Sequence, residues 1–197
     1  MRDEQREATR EQIVKATLLA MSESGFDGWS TRALAERANV SQGLLTYHFK
    51  SREELWRAAA DYLFAKHKDT VDEMLSSIKS VDPREQQREL IRQVVYFSAA
   101  HPGYMRFIVE RGNKYNERSQ WLVDTHLRPL FERFAQVMGD IPKAQLPHAF
   151  YALAGAAGAI FCVPDECKHV TGMDPRSKVA LERHAEYLVD LMVRDDR

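Results

Sequence analysis

The sequence predicts an all-α fold, and three observations support that class. Apolar residues recur at spacings of three and four along most of the 197 residues, which is the period of a helix with one buried face. Long runs of alternating β-branched residues, which would indicate strands, are absent. The nine glycines and seven prolines are sparse and sit in a few places, which divide the chain into helical segments.

The first part of the chain predicts four helices joined by short turns. Gly25 is suited to the position after the first helix, because glycine adopts a positive φ at little cost. Ser30 and Ser41 are good N-caps for the second and third helices. Ser51 and Glu54 form a capping box at the start of the fourth. The four predicted helices cover residues 4–24, 31–38, 42–49 and 51–78.

The rest of the chain predicts five further helices, with breaks where proline and glycine cluster. The breaks fall at residues 101–103, 139–142 and 164–175. Proline in the first turn favours several of the helix starts. The five predicted helices cover residues 83–100, 102–111, 117–138, 143–163 and 174–193.

The second and third predicted helices, with the turn between them, fit a helix-turn-helix motif. Leu45 and Phe49 are four residues apart, so they share the face that anchors the short third helix. The rest of that helix faces away, and a displayed polar face on a rigid scaffold suits the DNA major groove. The alternative is a plain helical hairpin. The expected DNA-contacting residues are Thr31, Arg32, Gln42, Gly43, Leu44, Thr46, Tyr47, His48, Lys50 and Arg52.

Individual contacts follow from side-chain chemistry. The amide of Gln42 can pair with adenine, and Leu44 can touch a thymine methyl group. Tyr47 and His48 can donate hydrogen bonds to phosphates. The net charge of −1 provides no global positive field, so affinity for DNA must come from locally placed cations such as Lys50. We therefore expect only a moderate dependence of binding on salt.

The stretch TRALAERANVSQGLLTYHFKSREEL, residues 31–55, resembles the DNA-binding domain of the TetR family of bacterial transcriptional regulators. The resemblance covers about the first 60 residues. Asn39 stands where the family often has glycine, and Thr46 stands where an aromatic residue is common. The resemblance implies a three-helix helix-turn-helix DNA-binding domain over residues 1–52. It implies a helical effector-binding and dimerisation domain over residues 53–197.

The resemblance also implies partners and a mechanism. Two subunits of a homodimer would present two recognition helices to a palindromic operator in double-stranded DNA. A small-molecule effector bound in the larger domain would change the spacing of those helices and release a repressor. The sequence leaves open whether the protein represses or activates transcription, and which effector it binds.

A run of small residues at 151–161 indicates a surface where two helices approach closely. We expect it to form the dimer interface with the last predicted helix, as the resemblance implies. A tight crossing within one subunit is the alternative. The expected interface residues are Ala152, Gly155, Ala156, Ala159, His184 and Leu188.

Aromatic residues concentrate between Tyr96 and Phe134, where some are expected to line an effector pocket, since such pockets are mostly apolar with a few polar groups. The alternative for each is plain core. The candidate pocket residues are Phe97, Tyr104, Phe107, Glu110, Trp121 and His126.

Other functions have little support in the sequence. No nucleophile elbow, phosphate loop or zinc-protease motif occurs, so no catalytic residue and no cofactor is expected. Cys162 and Cys167, with His169, could form a redox or metal switch, but their spacing fits no strong zinc pattern, so no metal is expected. No apolar leader or membrane helix is predicted, which indicates a cytoplasmic protein.

Overall fold

The computed structural model describes residues 2–25, 28–77, 82–105 and 116–193, and this part of the chain is helical throughout. The elements are α1 (Arg2–Ser24), α2 (Thr31–Arg37), α3 (Gln42–His48), α4 (Arg52–Ser77), α5 (Pro83–Ala100), α6 (Glu117–Leu122), a π-helical segment (Val123–Leu127), α7 (Arg128–Val137), α8 (Leu146–Cys162), α9 (Pro164–Thr171) and α10 (Lys178–Met192). The predicted all-α class is confirmed for the described residues.

The N-terminal helices share one apolar core. α1 packs against α4 and α2, and α2 packs against α3. Ile13, Leu34 and Leu45 are at most 2 % exposed and lie in this core. Leu55 and Leu63 of α4 belong to the same core, so the first turns of α4 pack with the helix-turn-helix. The predicted domain boundary after residue 52 lies in the first turn of α4.

The C-terminal helices form a second core around α5, which packs against α8 and α10. Ile91 and Val95 of α5 are completely buried there, and Leu188 of α10 packs beside them. α4 contributes to both cores, because Val71 near its end joins the second. A single long helix therefore links the two groups of helices.

Several boundaries differ from the prediction, and the last predicted helix, 174–193, begins only at Lys178. The predicted break at residues 164–175 contains α9, whose start has a favourable proline in the first turn and whose end is followed by Gly172 at a φ of 76°. The predicted helix 143–163 begins only at Leu146. The predicted helix 117–138 is interrupted by the π-helical segment. Much of the predicted helix 102–111 lies outside the described residues.

Within the described part of the chain, no single helix is long and apolar enough to cross a membrane. α8 and α9 meet the length and composition criteria only as a pair, and they are bent by 83°. The same residues contain no group of three or more His, Cys, Asp or Glu side chains arranged for a metal ion. Cys162 and Cys167 are half-buried, and the Cys162 thiol donates to the Pro102 carbonyl oxygen over 3.6 Å.

Candidate DNA-binding surface and ligand cleft

The short helix α3 is held from its inner side and from its N-terminus. Leu45 and Phe49 are each 2 % exposed, as their spacing predicted. The Ser41 hydroxyl accepts a hydrogen bond from the Leu44 amide over 3.1 Å and caps the helix. Asn39 has a φ of 49°, the left-handed conformation that the turn before α3 requires. Seven residues would not form a stable helix alone, so these contacts fix it.

The outer face of α3 is displayed to solvent. Gln42, Gly43 and Thr46 are exposed, and Leu44 and Tyr47 expose 39 % and 59 % of their surfaces. His48 is only half-buried and packs its ring against those of Tyr47 and Phe49. An exposed leucine and tyrosine on one polar helix face are suited to contact another molecule.

Two of the predicted cations are exposed near this face. Lys50 follows the C-terminal end of α3, and Arg32 lies on α2. The Lys50 ammonium donates to the carbonyl oxygens of Thr46 and Tyr47, each over 3.2 Å, where the helix dipole favours positive charge. Arg32 is exposed and pairs with Glu36 on the same helix.

Besides His48, two further predicted contact residues are partly withdrawn from the surface. Arg52 was expected to reach the DNA backbone, but it is half-buried with its guanidinium 4.5 Å from the centre of the Trp29 ring. Thr31, the first residue of α2, is likewise half-buried. The Trp29 stacking explains the position of Arg52, since a guanidinium packs favourably on an aromatic face.

α1 brings two further cations to this surface. Burial lowers the pKa of His48, and the positive charges of Arg6 and Arg10 lower it further. The Arg10 guanidinium lies 5.1 Å from the centre of the Phe49 ring. The sequence already offered Arg6 and Arg10 as cations of the N-terminal arm, and their i,i+4 spacing places both on one side of α1.

A cleft of about 760 Å³ opens between α4 and the segment that runs from the π-helical turn into α7. On one side, Asp61 accepts a hydrogen bond from His126 Nε2 over 2.9 Å. On the other, Asp72 lies between two cations, 2.6 Å from Lys68 Nζ and 3.0 Å from an Arg133 terminal nitrogen. Burial lowers the pKa of His126 despite the Asp61 contact, so His126 is neutral near pH 7.

A narrower apolar pocket, with a volume of about 60 Å³, lies beside the cleft. Leu90, Phe134 and Leu153 contribute apolar walls, and Tyr104 lies in the same wall. The Tyr104 ring is 5.1 Å from that of Phe97 and 5.5 Å from that of His67, measured between ring centres.

The predicted pocket residues are only partly brought together. Tyr104 lines the inner pocket and His126 lines the cleft. Phe97 packs behind Tyr104, and Trp121 packs against Trp56, so both are better described as supporting core. Phe107 and Glu110 lie outside the described residues.

Several polar side chains in the walls of the cleft and pocket were not predicted from the sequence. They lie on α4 and α7, where their helical spacing alone could not distinguish a cleft from a solvated face. These residues are His67, Lys68, Asp72 and Arg133.

The predicted interface residues lie on α8 and α10, where their exposure varies. Ala152 and Ala159 are exposed, and Gly155 and Ala156 are half-buried. His184 is also half-buried and donates from Nε2 to the Ala156 carbonyl oxygen over 2.9 Å. Leu188, in contrast, is 2 % exposed inside the subunit, which leaves little of its side chain for a partner.

The same two helices expose large apolar side chains that were not in the predicted set. Tyr151 is 67 % exposed, Tyr187 64 % and Leu191 57 %. Gly158, in the small-residue run, serves a contact within the subunit, because a Cβ there would collide with Met105. The small-residue run therefore supports both an internal crossing and an apolar outer surface.

Comparison with known proteins agrees with this arrangement. Residues 13–59 match the model of the bacterial regulatory proteins of the tetR family. The probable HTH-type transcriptional regulator YttP of Bacillus subtilis (strain 168) is 23 % identical over 174 residues, covering 85 % of this chain and 84 % of YttP. The HTH-type transcriptional regulator BetI of Yersinia pestis is 31 % identical over 81 residues, which is 41 % of each chain.

Solved structures share the fold over nearly the whole chain. AibR, crystallised with isovaleryl coenzyme A and operator DNA, has a TM-score of 0.72 at 16 % identity, covering 95 % of this chain and 100 % of AibR. The fatty acid degradation regulator FadR of Bacillus halodurans has a TM-score of 0.67 at 16 % identity, covering 92 % and 94 %.

The helix-turn-helix, its displayed face and these similarities define a DNA-binding transcriptional regulator. More particularly, residues 13–59 are similar to the bacterial regulatory proteins of the tetR family.

Proposed function

We propose that this protein is a homodimeric repressor in the cytoplasm that binds a palindromic operator and leaves it when a small molecule occupies the cleft between α4 and α7. The observation that carries the DNA side of the proposal is the outer face of α3. Its polar and aromatic side chains are exposed while Leu45 and Phe49 fix the helix from behind. In a two-fold dimer the same face is presented twice, which suits an operator with two equivalent half-sites.

The side chains on that surface have different roles in the proposal. Gln42 reads a base edge, and Leu44 contacts a thymine methyl group. Tyr47 binds a phosphate, as does the ammonium of Lys50. Arg6 and Arg10 of α1 add positive charge beside His48. Few phosphates are neutralised in this arrangement, so the salt dependence is moderate.

The dimer is formed by α8 and α10 in this proposal. Their exposed Tyr151, Tyr187 and Leu191 form an apolar surface that a second subunit would cover. The half-buried small residues Gly155 and Ala156 allow the partner helices to approach closely.

Release of the operator is a population shift. The effector binds more tightly to the dimer in which the two α3 helices are wrongly spaced, so operator affinity falls as the effector concentration rises. α4 is suited to transmit the change, because it lines the cleft and also packs in the N-terminal core. AibR, which shares the fold, was crystallised with both operator DNA and an acyl coenzyme A, a pairing that supports a regulator with two ligands.

The test is binding to the promoter DNA near the protein's own gene, measured by gel shift and by fluorescence anisotropy. We expect retardation that survives an excess of unrelated competitor DNA, with two subunits bound per site. Tyr47→Ala should weaken that binding while its circular dichroism spectrum remains unchanged. Binding that any DNA competes away, or that Tyr47→Ala leaves intact, would contradict the proposal.

A further inference from the structure

The cleft and the inner pocket are two parts of one binding site. Four side chains line both spaces, so the wall between them is shared: His67, Val71, Leu130 and Arg133. The cleft of about 760 Å³ is within the usual size of a small-molecule site, and its walls carry several charged groups. A ligand that extends from one space into the other must therefore have a polar part and an apolar part.

The inner pocket limits the size of the apolar part. Its volume of about 60 Å³ corresponds to about four to six water molecules by the space each requires. A methylene group is about as large as a water molecule, so the pocket holds an apolar chain of about four to six carbons. Most of the described walls are aliphatic and aromatic side chains, with His67, Ser98 and Arg133 among them, and the apolar majority favours such a chain over a polar one.

The shared wall offers hydrogen-bond donors that lack acceptors. Arg133 Nε is buried and has no hydrogen-bond partner among the described residues, although the terminal nitrogens of the same guanidinium contact Asp72 and Gln136. The Tyr104 hydroxyl of the inner pocket is also buried without a partner in this part of the chain. Donors of this kind are costly to leave unpaired, so a ligand that brings acceptor oxygens is favoured.

Two neighbouring groups restrict the charge of the buried end of the ligand. Burial lowers the pKa of His67 to about 4 and raises that of Tyr104, so both side chains are neutral near pH 7. The pocket therefore offers no negative charge to a buried cation. Asp72 lies against Arg133 and would still tolerate an uncharged carbonyl oxygen at Arg133 Nε.

We propose that the effector is a short-chain acyl compound whose chain of about four to six carbons occupies the inner pocket. Its acyl oxygen accepts a hydrogen bond from Arg133 Nε, and the remainder of the molecule lies in the outer cleft. This inference rests on the proposed function for its regulatory meaning, but the binding site can be tested without DNA.

Direct calorimetry on the purified full-length protein tests the site with defined probes. Sodium hexanoate, methyl hexanoate and hexanoyl coenzyme A share the acyl chain and differ in what is attached to it. We expect at least one of the three to bind, with one molecule per subunit. Their relative affinities then show whether the natural effector is a free acid, a neutral ester or a thioester with a large polar carrier. Hexyltrimethylammonium has the same chain length, a positive charge and no acceptor oxygen, so it should bind at least about tenfold more weakly than the best acyl probe.

Variants locate the bound probe. Arg133→Met removes the donor and should weaken the best acyl probe at least about tenfold. Arg128→Met is the matched control, because Arg128 lies on the same helix, pairs with Asp124 and does not line either space. Val94→Phe fills the inner pocket and should prevent binding. If Val94→Phe does not fold, Ala154→Leu serves as the filled-pocket variant, because Ala154 lines the same pocket.

The possible results separate the two proposals. Loss of binding in Arg133→Met and in the filled-pocket variant, with normal binding in Arg128→Met, supports the acyl site. Absence of binding by all three acyl probes, equal or tighter binding of hexyltrimethylammonium, or unchanged binding in Arg133→Met overturns it. An acyl probe that binds as expected but leaves operator binding unchanged would contradict the proposed release mechanism and not the site.

Discussion

Arg118 in the first turns of α6 donates from Nε to Glu53 Oε2 over 2.7 Å, and Glu53 lies in the first turn of α4. The Trp121 ring, one turn further along α6, packs edge-on against the ring of Trp56 with 5.6 Å between centres. α6 is therefore attached to the part of α4 that packs with the helix-turn-helix. The π-helical segment that follows carries His126 to the cleft, so one stretch of chain contacts both regions.

Arg118→Met should weaken the coupling between the effector and the operator. The contact with Glu53 joins the cleft side of the molecule to the start of α4, so its loss should reduce the coupling free energy by about 0.5–2 kcal/mol. The measurement is the ratio of operator affinities with and without saturating effector. Arg128→Met is again the control, and an unchanged ratio in Arg118→Met would show that this contact does not transmit the signal.

Leu45→Ala should lower the free energy of unfolding by about 2–5 kcal/mol, because the side chain is 2 % exposed and fixes α3 to the core. Leu44→Ala provides a matched comparison one residue earlier. Leu44 is 39 % exposed, so its loss should change stability by no more than about 0.5 kcal/mol. Urea unfolding measures both, and equal destabilisation would contradict the orientation of α3.

Tyr47→Ala should weaken operator binding by about 1–3 kcal/mol, since a hydrogen bond to a charged phosphate would be lost. The side chain is 59 % exposed, so the fold should be unaffected. Tyr47→Phe removes only the hydroxyl and tests whether that group makes the contact. Anisotropy titrations that show wild-type affinity for both variants would remove Tyr47 from the interface.

Gln42→Ala should change which base is preferred at one position in each half-site. Gln42 is the first residue of α3 and is exposed, and a glutamine amide pairs best with adenine in the major groove. Selection from a randomised operator library measures the preference. The prediction fails if the selected sequence is the same as for the wild type.

Stability should fall as the pH is lowered from about 6.5 to about 4, in part because of His67. Burial keeps His67 neutral in the folded protein, whereas the unfolded chain binds the proton near pH 6.5. The unfolded state thus holds more protons in this window, and stability is lost as the pH falls. The full effect is at most about 3 kcal/mol.

His67→Phe isolates that contribution. The difference in unfolding free energy between wild type and variant should depend on pH between 4 and 6.5 and become constant above that range. Histidines that do not interact with His67 remain unchanged in both proteins, so the difference cancels them, whereas the charge of His101 acts on His67 and belongs to the measured effect. A difference that does not change with pH would mean that folding leaves the pKa of His67 unchanged.

The helix-turn-helix could be predicted from the sequence because its signals are local. Ser30 and Ser41 cap α2 and α3 as expected, and the i,i+4 pair of Leu45 and Phe49 is buried. Arg52 was less predictable, since its packing on Trp29 joins residues that are far apart in the chain.

The cleft depended on contacts that no local pattern encodes. Asp72 and Arg133 are 61 positions apart, and each alone resembles an ordinary surface charge on a helix. Leu188 and Tyr187 illustrate the same limit on α10. Periodicity indicated an apolar side of the helix but not which of the two neighbours faces the subunit's own core.

The π-helical segment Val123–Leu127 joins α6 to α7, which would otherwise form one regular helix. It sets the direction in which the side chains of α7 point relative to those of α6. Each residue of an α-helix turns the chain by about 100° about the helix axis. An extra residue in a wider π-helical turn therefore rotates all the side chains that follow it. Shortening this stretch by one residue would leave Arg118 facing α4 while Arg133 pointed to a different side. The contact between Arg118 and Glu53 would remain, but Arg133 would no longer line the cleft, and the same segment could not contact both α4 and a bound ligand.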